Sequence, residues 1–233
     1  MGKIFFISGI NTGVGKTIFT GLAARFLRRR GVSVVTAKAV QTGCREVSED
    51  LEIHRKLMGV PSLPGDREGW TAPEIFAFPA SPHLAAKLEN RTVDTGKIVR
   101  SVEKLAAMYD AVLVEGAGGL AVPLSEDVLT ADLLKERGWP VILVTNGALG
   151  SISSTLLSLE ALAGRGIRLA GIAYNFCANA DPIIDRDTPE LIGISMTRYG
   201  FEKNIVRMAE INPERPGDSP VPDFSVLFRE VLS

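Results

Sequence analysis

The chain alternates between short apolar runs and longer amphipathic segments. Five runs rich in aliphatic and β-branched residues predict buried strands at residues 3–8, 32–37, 110–115, 140–145 and 169–175. The segments between them carry apolar residues at three- and four-residue spacing, which predicts helices at 18–30, 50–58, 82–88, 93–109, 132–137 and 151–163. Strands that alternate with helices and are apolar on both faces predict an α/β fold, with a mostly parallel sheet covered by helices on both sides.

The last quarter of the chain has a weaker pattern. We expect a further strand at residues 191–194, a helix at 201–209, a proline-rich loop at 211–223 and a closing helix at 224–232. No internal repeat or composition change divides the sequence, so the whole chain, residues 1–233, is expected to form one domain.

A glycine-rich loop joins the first strand to the first helix. Gly9, Gly13 and Gly15 are followed at once by Lys16 and Thr17. A strand, a glycine loop, Gly-Lys-Thr and a helix, in that order, predict a phosphate-binding P-loop. In such a loop, inward backbone N–H groups and the helix N-terminus attract phosphate, the lysine reaches the β- and γ-phosphates, and the threonine hydroxyl binds Mg²⁺. The loop is one residue longer than the usual motif, and a glycine-rich turn capped by a lysine is the alternative.

Two further strands end in residues suited to a ligand site. Glu115 closes the strand at 110–115 and precedes the glycine run 116–119, where P-loop enzymes hold a second magnesium contact. A surface strand end or a helix-capping carboxylate would be the alternative for Glu115. The second strand runs into a loop at residues 38–43, and ligands of open α/β sheets bind at that end of the strands.

Composition excludes several classes of partner. The chain has 233 residues, 45% of them hydrophobic and 23% charged, with a net charge of −1. Such a charge gives no electrostatic basis for binding nucleic acid or an anionic membrane. Cys44 and Cys177 are too few and too far apart for a disulfide framework or a thiolate metal site. With no signal peptide pattern and no apolar run of 18 residues, the chain is expected to be cytoplasmic.

Several separate segments together resemble the dethiobiotin synthetase family, over about three quarters of the chain. They are the phosphate loop 9–17, the lysine loop 38–43, the segment 78–83 that ends in Ser-Pro-His, residues 112–124 (VLVEGAGGLAVPL), residues 140–152 and the strand that ends at Asn175. Residues 112–124 are the most specific match. The order and spacing of all these segments carry the resemblance, since no single one would suffice.

The resemblance implies a reaction. Members of that family join CO₂ to 7,8-diaminononanoate with ATP and Mg²⁺, and release ADP and phosphate as a cyclic urea, dethiobiotin, forms. An amine carbamate attacks the γ-phosphate, and the second amine closes on the resulting carbamic–phosphoric anhydride. Such chemistry brings two anions together, so it depends mainly on cations and positioning.

The resemblance also implies roles for individual residues. Lys16, Lys38 and Thr12 are the implied catalytic residues. The implied nucleotide contacts are Asn11, Thr12, Gly13, Val14, Gly15, Lys16, Thr17, Ile18, Glu115 and Asn175, of which Asn175 matches an adenine-binding asparagine. Thr17, Asp50 and Glu115 are the implied Mg²⁺ ligands, all hard oxygen donors. The implied substrate contacts are Thr42, Lys38, Gly118, Gly150, Ser151, Ile152 and Ser153.

Gly150–Ser153 opens a helix whose first N–H groups can hold the substrate carboxylate. In the family this helix start comes from a neighbouring subunit, which implies a homodimer with substrate at the interface.

The sequence departs from the family pattern in three places. Ala39 replaces a proline after the loop lysine, Ser153-Ser154 replaces Asn-His, and Gly193 is not followed by the usual proline. These departures concern loop stiffness, the carboxylate end of the substrate and base specificity, respectively. His54 and His83 show no partner pattern, so each is interpreted as a hydrogen-bonded or solvated histidine.

Two other functions share features with this sequence. A partitioning ATPase, which acts as a nucleotide-driven switch, has the same fold but usually carries a second lysine early in the loop, where this chain has Asn11. A cobyrinic-acid-type amide synthetase requires an attached glutaminase domain, for which 233 residues leave no room.

Overall fold

The computed structural model describes residues 1–176, 181–208, 211 and 219–232. Its strands, in chain order, are β1 Lys3–Gly9, β2 Val34–Lys38, β3 Val40–Thr42, β4 Glu74–Phe76, β5 Ala111–Gly119, β6 Val141–Asn146, β7 Leu169–Asn175 and β8 Ile205–Arg207. All five predicted strands are therefore confirmed, and their ends differ from the predicted ones by a few residues at most.

The helices connect and cover these strands. They are α1 Lys16–Arg29, α2 Glu49–Met58, α3 Pro64–Arg67, α4 Pro82–Leu88, α5 Thr95–Met108, α6 Thr130–Arg137, α7 Ser151–Arg165, α8 Pro182–Arg198 and α9 Arg229–Leu232, with a 3₁₀ turn at Ser225–Leu227. Within the described ranges, none of these helices combines the length and the apolar character that crossing a membrane requires.

Within the described residues, six strands form one sheet in the order β2-β5-β1-β6-β7-β8, and each neighbouring pair is parallel. β3 and β4 form a separate parallel ribbon. Because the strands of the large sheet all run the same way, their carboxyl ends meet at one edge. The α/β fold class is confirmed.

Alternation along β1 explains why helices cover both faces of the sheet. Ile4 and Phe6 point into one hydrophobic cluster, which includes residues of α5 and α6. Phe5 and Ile7 point into the other, which contains the apolar face of α1. Since successive strand residues face opposite ways, a central strand that is apolar throughout must be buried on both sides.

Three predictions for the second half of the chain were wrong or incomplete. Residues 191–194 lie inside α8, because Ile192 and Met196 continue a helical spacing that a four-residue apolar run cannot reveal. Residues 201–208 contain the edge strand β8, which pairs with β7, instead of a helix; residue 209 lies outside the described residues. The closing helix at 224–232 is split into the 3₁₀ turn and α9.

Of the two loop predictions, one was incomplete and the other falls mostly outside the described residues. The lysine loop at 38–43 contains β3, whose strand character comes from its pairing with β4, 34 residues further along. Most of the proline-rich loop predicted at 211–223 lies outside the described residues.

Candidate active site

The glycine loop lies between β1 and α1, at the carboxyl edge of the sheet. Gly13 and Gly15 adopt φ values of 75° and 101°, in the left-handed region that glycine adopts without strain. Gly15 caps α1 without any side-chain hydrogen bond, so the helix N-terminus keeps unpaired backbone donors. Lys16 folds back over the loop, where its Nζ donates to the Asn11 carbonyl at 3.0 Å. This is the geometry of an anion-binding loop.

Strand register places Lys38 beside Glu115. β2 pairs in parallel with β5, and the Cα partners include Lys38 and Glu115. Both side chains are buried, and Lys38 Nζ lies 2.7 Å from Glu115 Oε1. The lysine that ends one strand is thus the direct partner of the acid on its neighbour.

Helix α2 supplies a second carboxylate because it packs closely on α1. A Cβ at Gly21 would lie only 2.6 Å from Leu57 Cδ1, so glycine is what permits this approach. Asp50 lies in the first turn of α2, and Thr17 lies one helical turn before Gly21 on α1. The close packing brings Asp50 Oδ1 to 2.9 Å from Thr17 Oγ1.

Thr17, Lys38, Asp50 and Glu115 therefore converge in one cluster. The Thr17 hydroxyl lies within 3.1 Å of Glu115 Oε1 as well as near Asp50, and its single proton can be donated to either. Lys38 Nζ lies 2.6 Å from Asp50 Oδ2. Thr17 and Lys38, one of the two predicted catalytic lysines, thus each contact both carboxylates of the predicted metal site.

The cluster shifts the pKa values of its members. Burial alone would raise the pKa of Glu115, but the Lys38 charge and a hydrogen bond from His54 outweigh it and lower that pKa to about 2. Burial lowers the pKa of Lys16 to about 8, and the nearby Lys38 charge adds to this effect. Burial also opposes the charge on Lys38, yet Glu115 and Asp50 outweigh it and raise the pKa of this lysine. Glu115 and Lys38 are therefore charged at neutral pH.

The donor set suits Mg²⁺. Thr17, Asp50 and Glu115 offer one hydroxyl and two carboxylates, the hard oxygens that Mg²⁺ prefers. In the part of the chain that the structure describes, no group of three or more His, Cys, Asp and Glu residues is arranged to hold a metal ion by itself. An open set with two carboxylates is typical of Mg²⁺ that also binds substrate phosphates.

His54 is a site residue that the sequence interpretation missed. Its ring is fully buried, with Nε2 2.8 Å from Glu115 Oε2 and Nδ1 3.1 Å from Thr36 Oγ1. The prediction of a hydrogen-bonded histidine is confirmed, but its partner is a residue of the cluster. The signal was present, since Asp50 and His54 are four residues apart on a predicted helix and so share one face.

Asn175 lies at the other end of the glycine loop. Its Nδ2 donates to the Val14 carbonyl at 3.0 Å, and a Cβ at Gly15 would lie 2.5 Å from that nitrogen. The end of β7 is thus packed on the phosphate loop, as a residue next to a bound nucleotide would be.

Thr12 and Gly118 line an open groove of about 390 Å³ beside the loop. Ser154 and Leu157 of α7 also line this groove. Gly118 has a φ of 61°, and a Cβ there would clash with Val122. The predicted catalytic threonine and one predicted substrate contact therefore share a cavity.

The remaining predicted substrate contacts are not joined to the Lys38 cluster by any hydrogen bond described for them. Thr42 ends β3, and its carbonyl accepts from Gln41 within the ribbon. Gly150 caps α7 with a φ of 89° and no side-chain hydrogen bond, so the N–H groups of Ile152 and Ser153 begin the helix without intrahelical partners. No hydrogen bond described for this helix start reaches the Lys38 cluster.

Comparison with known proteins gives one consistent group of relatives. A family profile described as an AAA domain matches residues 3–211. The ATP-dependent dethiobiotin synthetase BioD of Chlorobaculum tepidum is 50% identical over 200 residues, covering 86% of this chain and 84% of that protein. BioD 2 of Haemophilus influenzae is 51% identical over 75% of this chain and 92% of its own length. BioD of Thermodesulfovibrio yellowstonii is 33% identical over 95% and 96% of the two chains.

Solved structures share the fold at low sequence identity. The pNOB8 ParA structure bound to nonspecific DNA has a TM-score of 0.52 at 13% identity, covering all of this chain and 96% of that chain. The cell division protein FtsY of Thermotoga maritima has a TM-score of 0.51 at 18% identity, covering all of this chain and 69% of that chain. At this level of identity, the likeness concerns the fold alone.

Proposed function

The chain belongs to the ATP-dependent dethiobiotin synthetase family, and on that premise we propose how its own residues carry out the reaction. The protein is an ATP-dependent ligase that forms dethiobiotin by ring closure in biotin biosynthesis. The substrates are 7,8-diaminononanoate, CO₂ and ATP, and ADP and phosphate are released. One structural observation supports this assignment above all: the phosphate loop and the Lys38–Glu115 pair lie at the same edge of the sheet.

The phosphate loop binds ATP. The backbone of residues 11–15 surrounds the phosphates, and the unpaired N–H groups of α1 add attraction for negative charge. Lys16 neutralises the β- and γ-phosphates, while Thr12 donates a hydrogen bond from the groove side. Ile18 follows in the first turn of α1, and Asn175, already packed against Gly15, contacts the adenine.

Lys38 serves the carbamate side of the reaction. It is buried and carries a positive charge at neutral pH. This charge offsets the repulsion between the attacking carbamate anion and the γ-phosphate. The carbamate oxygen forms a bond to the γ-phosphorus and the bond to ADP breaks. The second amine then attacks the carbonyl carbon and releases phosphate. Positioning and charge account for most of the catalysis, since the protein forms no covalent bond.

Mg²⁺ is the proposed metal, held by Thr17, Asp50 and Glu115. When bound, it supplies positive charge to the phosphate oxygens. The chain's contribution is to hold both carboxylates, Asp50 and Glu115, within hydrogen-bond distance of the Thr17 hydroxyl before the metal arrives.

A product assay tests the proposed function. Purified protein incubated with ATP, Mg²⁺, bicarbonate and 7,8-diaminononanoate should yield the cyclic urea, detected by mass spectrometry, in amounts equal to the ADP released. The control omits the diamine and should release little ADP. ADP release that is independent of diamine, with no cyclic urea, would contradict the assignment.

We propose that the active form is a dimer in which the start of α7 from one subunit completes the site of the other. Leu149 is 95% exposed just before this helix, and Leu157 is 62% exposed on it. Leu157 also borders the groove beside Thr12, so the apolar face is continuous with the candidate site. Exposed large apolar side chains at and near a site are a feature that protein interfaces share. A second copy, related by a two-fold axis, is the occupant that would bring its own helix start to the groove.

Sedimentation velocity tests the dimer. The wild-type chain should sediment at twice its monomer mass, and Leu149→Asp together with Leu157→Asp should produce a monomer, because buried carboxylates in an apolar interface are strongly unfavourable. The monomer should lose synthesis of the cyclic urea while it still binds ATP. Met108→Asp is the matched control, since Met108 is 54% exposed at the end of α5 and precedes the opposite edge of the sheet. A monomer with full activity at assay concentration would contradict the shared site but leave the reaction assignment intact.

The two alternative functions are not favoured. The ParA-like structure shares only the fold, at 13% identity, while the relatives at about 50% identity are curated as dethiobiotin synthetases. The same relatives also count against an amide synthetase.

A further inference from the structure

A buried row of hydrogen bonds extends from Glu115 away from the proposed metal position. His54 Nε2 lies 2.8 Å from Glu115 Oε2, and His54 Nδ1 lies 3.1 Å from Thr36 Oγ1. Arg55 Nη1 donates to the same Thr36 hydroxyl at 2.5 Å, and Arg55 forms a two-point contact with Asp66 at 2.6 and 2.9 Å. The row therefore joins β5, α2, β2 and α3.

The chemistry of each group sets the direction of the protons. A guanidinium can only donate, so the Thr36 oxygen accepts from Arg55. An ionised carboxylate can only accept, so His54 Nε2 carries the proton shared with Glu115. In the tautomer with its single proton on Nε2, His54 Nδ1 accepts from the Thr36 hydroxyl, because the other partner in reach, Met58 Sδ at 3.9 Å, is a weak acceptor. Every polar atom in the row has a partner in this arrangement.

This arrangement divides the two oxygens of Glu115 between different tasks. Oε2 accepts from His54, whereas Oε1 faces Thr17 and Lys38 at 3.1 and 2.7 Å. Rotation of the carboxylate would break the contact with His54, whose ring is fully buried. Only one carboxylate oxygen therefore points toward the position of the other proposed metal ligands.

The far end of the row is anchored to backbone. Asp66 accepts from the backbone N–H of Leu63 and from the Thr71 hydroxyl, each at 2.7 Å, in addition to Arg55. Burial would raise the pKa of Asp66, but these hydrogen bonds outweigh it and keep the carboxylate ionised. Asp66 thus fixes Arg55, and moving the Thr36 oxygen away from His54 would cost the charge-assisted bond that this oxygen accepts from Arg55.

We propose that His54 is a positioning residue that makes Glu115 bind Mg²⁺ through Oε1 alone. This proposal rests on the proposed function, because it concerns the metal that the reaction uses. His54 touches neither substrate nor metal; it acts through the carboxylate, in the way that hydrogen-bonded partners of metal ligands raise metal affinity.

The test compares two amides at position 54. In His54→Gln, the longer side chain can place its amide N–H close to where His54 Nε2 lies and still donate to Glu115. In His54→Asn, the side chain is one methylene shorter and can reach Thr36 but not Glu115. Binding of Mn²⁺, used as a probe for Mg²⁺, is measured by electron paramagnetic resonance in the presence of saturating ADP. Both variants are neutral and polar, so they serve as each other's controls, with thermal unfolding recorded for each.

We expect His54→Asn to weaken Mn²⁺ binding by about 10–100-fold and His54→Gln to retain affinity close to that of the wild type. The apparent Mg²⁺ requirement of turnover should rise in His54→Asn, and most of kcat should return at saturating Mg²⁺. Equal Mn²⁺ affinities for the two variants would overturn the proposal, even if both were less stable than the wild type. If His54→Asn fails to fold, Thr36→Val replaces it, since it removes the hydroxyl that orients His54; unchanged Mn²⁺ affinity in that variant would also overturn the proposal.

Failure of this proposal is distinguishable from failure of the proposed function. The wild-type product assay decides whether the cyclic urea forms, whereas the Mn²⁺ measurement needs no diamine. Cyclic urea formation together with equal affinities would leave the reaction assigned and remove only the role of His54.

Discussion

Replacing Glu115 by glutamine should lower turnover by about 100-fold or more at limiting Mg²⁺, because the change removes one of two carboxylates in the proposed metal site. The substitution keeps the shape of the side chain, so the fold should remain. Glutamine leaves the buried Lys38 with Asp50 alone, and we expect the free energy of unfolding to fall by about 3 kcal/mol. Turnover measured against Mg²⁺ concentration and urea unfolding followed by circular dichroism check the two effects.

Glu52→Gln is the matched control for this variant. Glu52 is an exposed carboxylate on α2, the helix that also carries Asp50 and His54, so losing it changes the net charge equally without touching the cluster. The control should keep its Mg²⁺ dependence and its stability within about 0.5 kcal/mol. Normal activity of Glu115→Gln at limiting Mg²⁺ would remove Glu115 from the metal site.

Replacing each of the two buried lysines, Lys16 and Lys38, by methionine should impair different steps of the reaction. Methionine keeps the apolar stem of the side chain and removes its charge. Lys16→Met should lose ATP binding and turnover together, since Lys16 lies over the phosphate loop with its Nζ on the Asn11 carbonyl. Lys38→Met should lower kcat by about 100–1,000-fold while ATP affinity changes by only a few-fold, because we propose that this lysine acts on the carbamate side. Calorimetric titration with a non-hydrolysable ATP analogue and the product assay separate the two effects.

Lys56→Met is the control for both lysines, as Lys56 is exposed on α2. Lys38→Met also leaves Asp50 and Glu115 without the cation between them, so thermal unfolding must show that each variant is folded. If Lys38→Met abolished ATP binding and left the diamine-dependent steps intact, the two roles would be reversed.

Local sequence patterns were sufficient to predict most of the fold. The strand at 169–175 is buried along most of its length, and its short, mostly apolar run can be recognised without knowledge of a distant partner. The phosphate loop was equally clear, because its glycines, Lys16 and Thr17 all lie within nine residues, and their conformation depends on the loop and helix that they form. The tail was less legible, since β8 is a three-residue strand stabilised by its pairing with β7.

The cluster around Glu115 was decided by tertiary structure. Thr17 and Glu115 are 98 residues apart, and Lys38 and Glu115 are 77 apart, so only the strand order and register bring them together. His54 had a recognisable helical spacing from Asp50, but its partner lies 61 residues further along the chain.

The physical reason is that periodicity and turn chemistry are encoded between near neighbours, whereas the choice of contact depends on how whole elements pack. Sequence alone determined an α/β chain with a phosphate loop at its start and candidate ligands at its strand ends. The packing of α2 on α1, through the space left by Gly21, decided that Asp50 and His54 would meet Thr17 and Glu115.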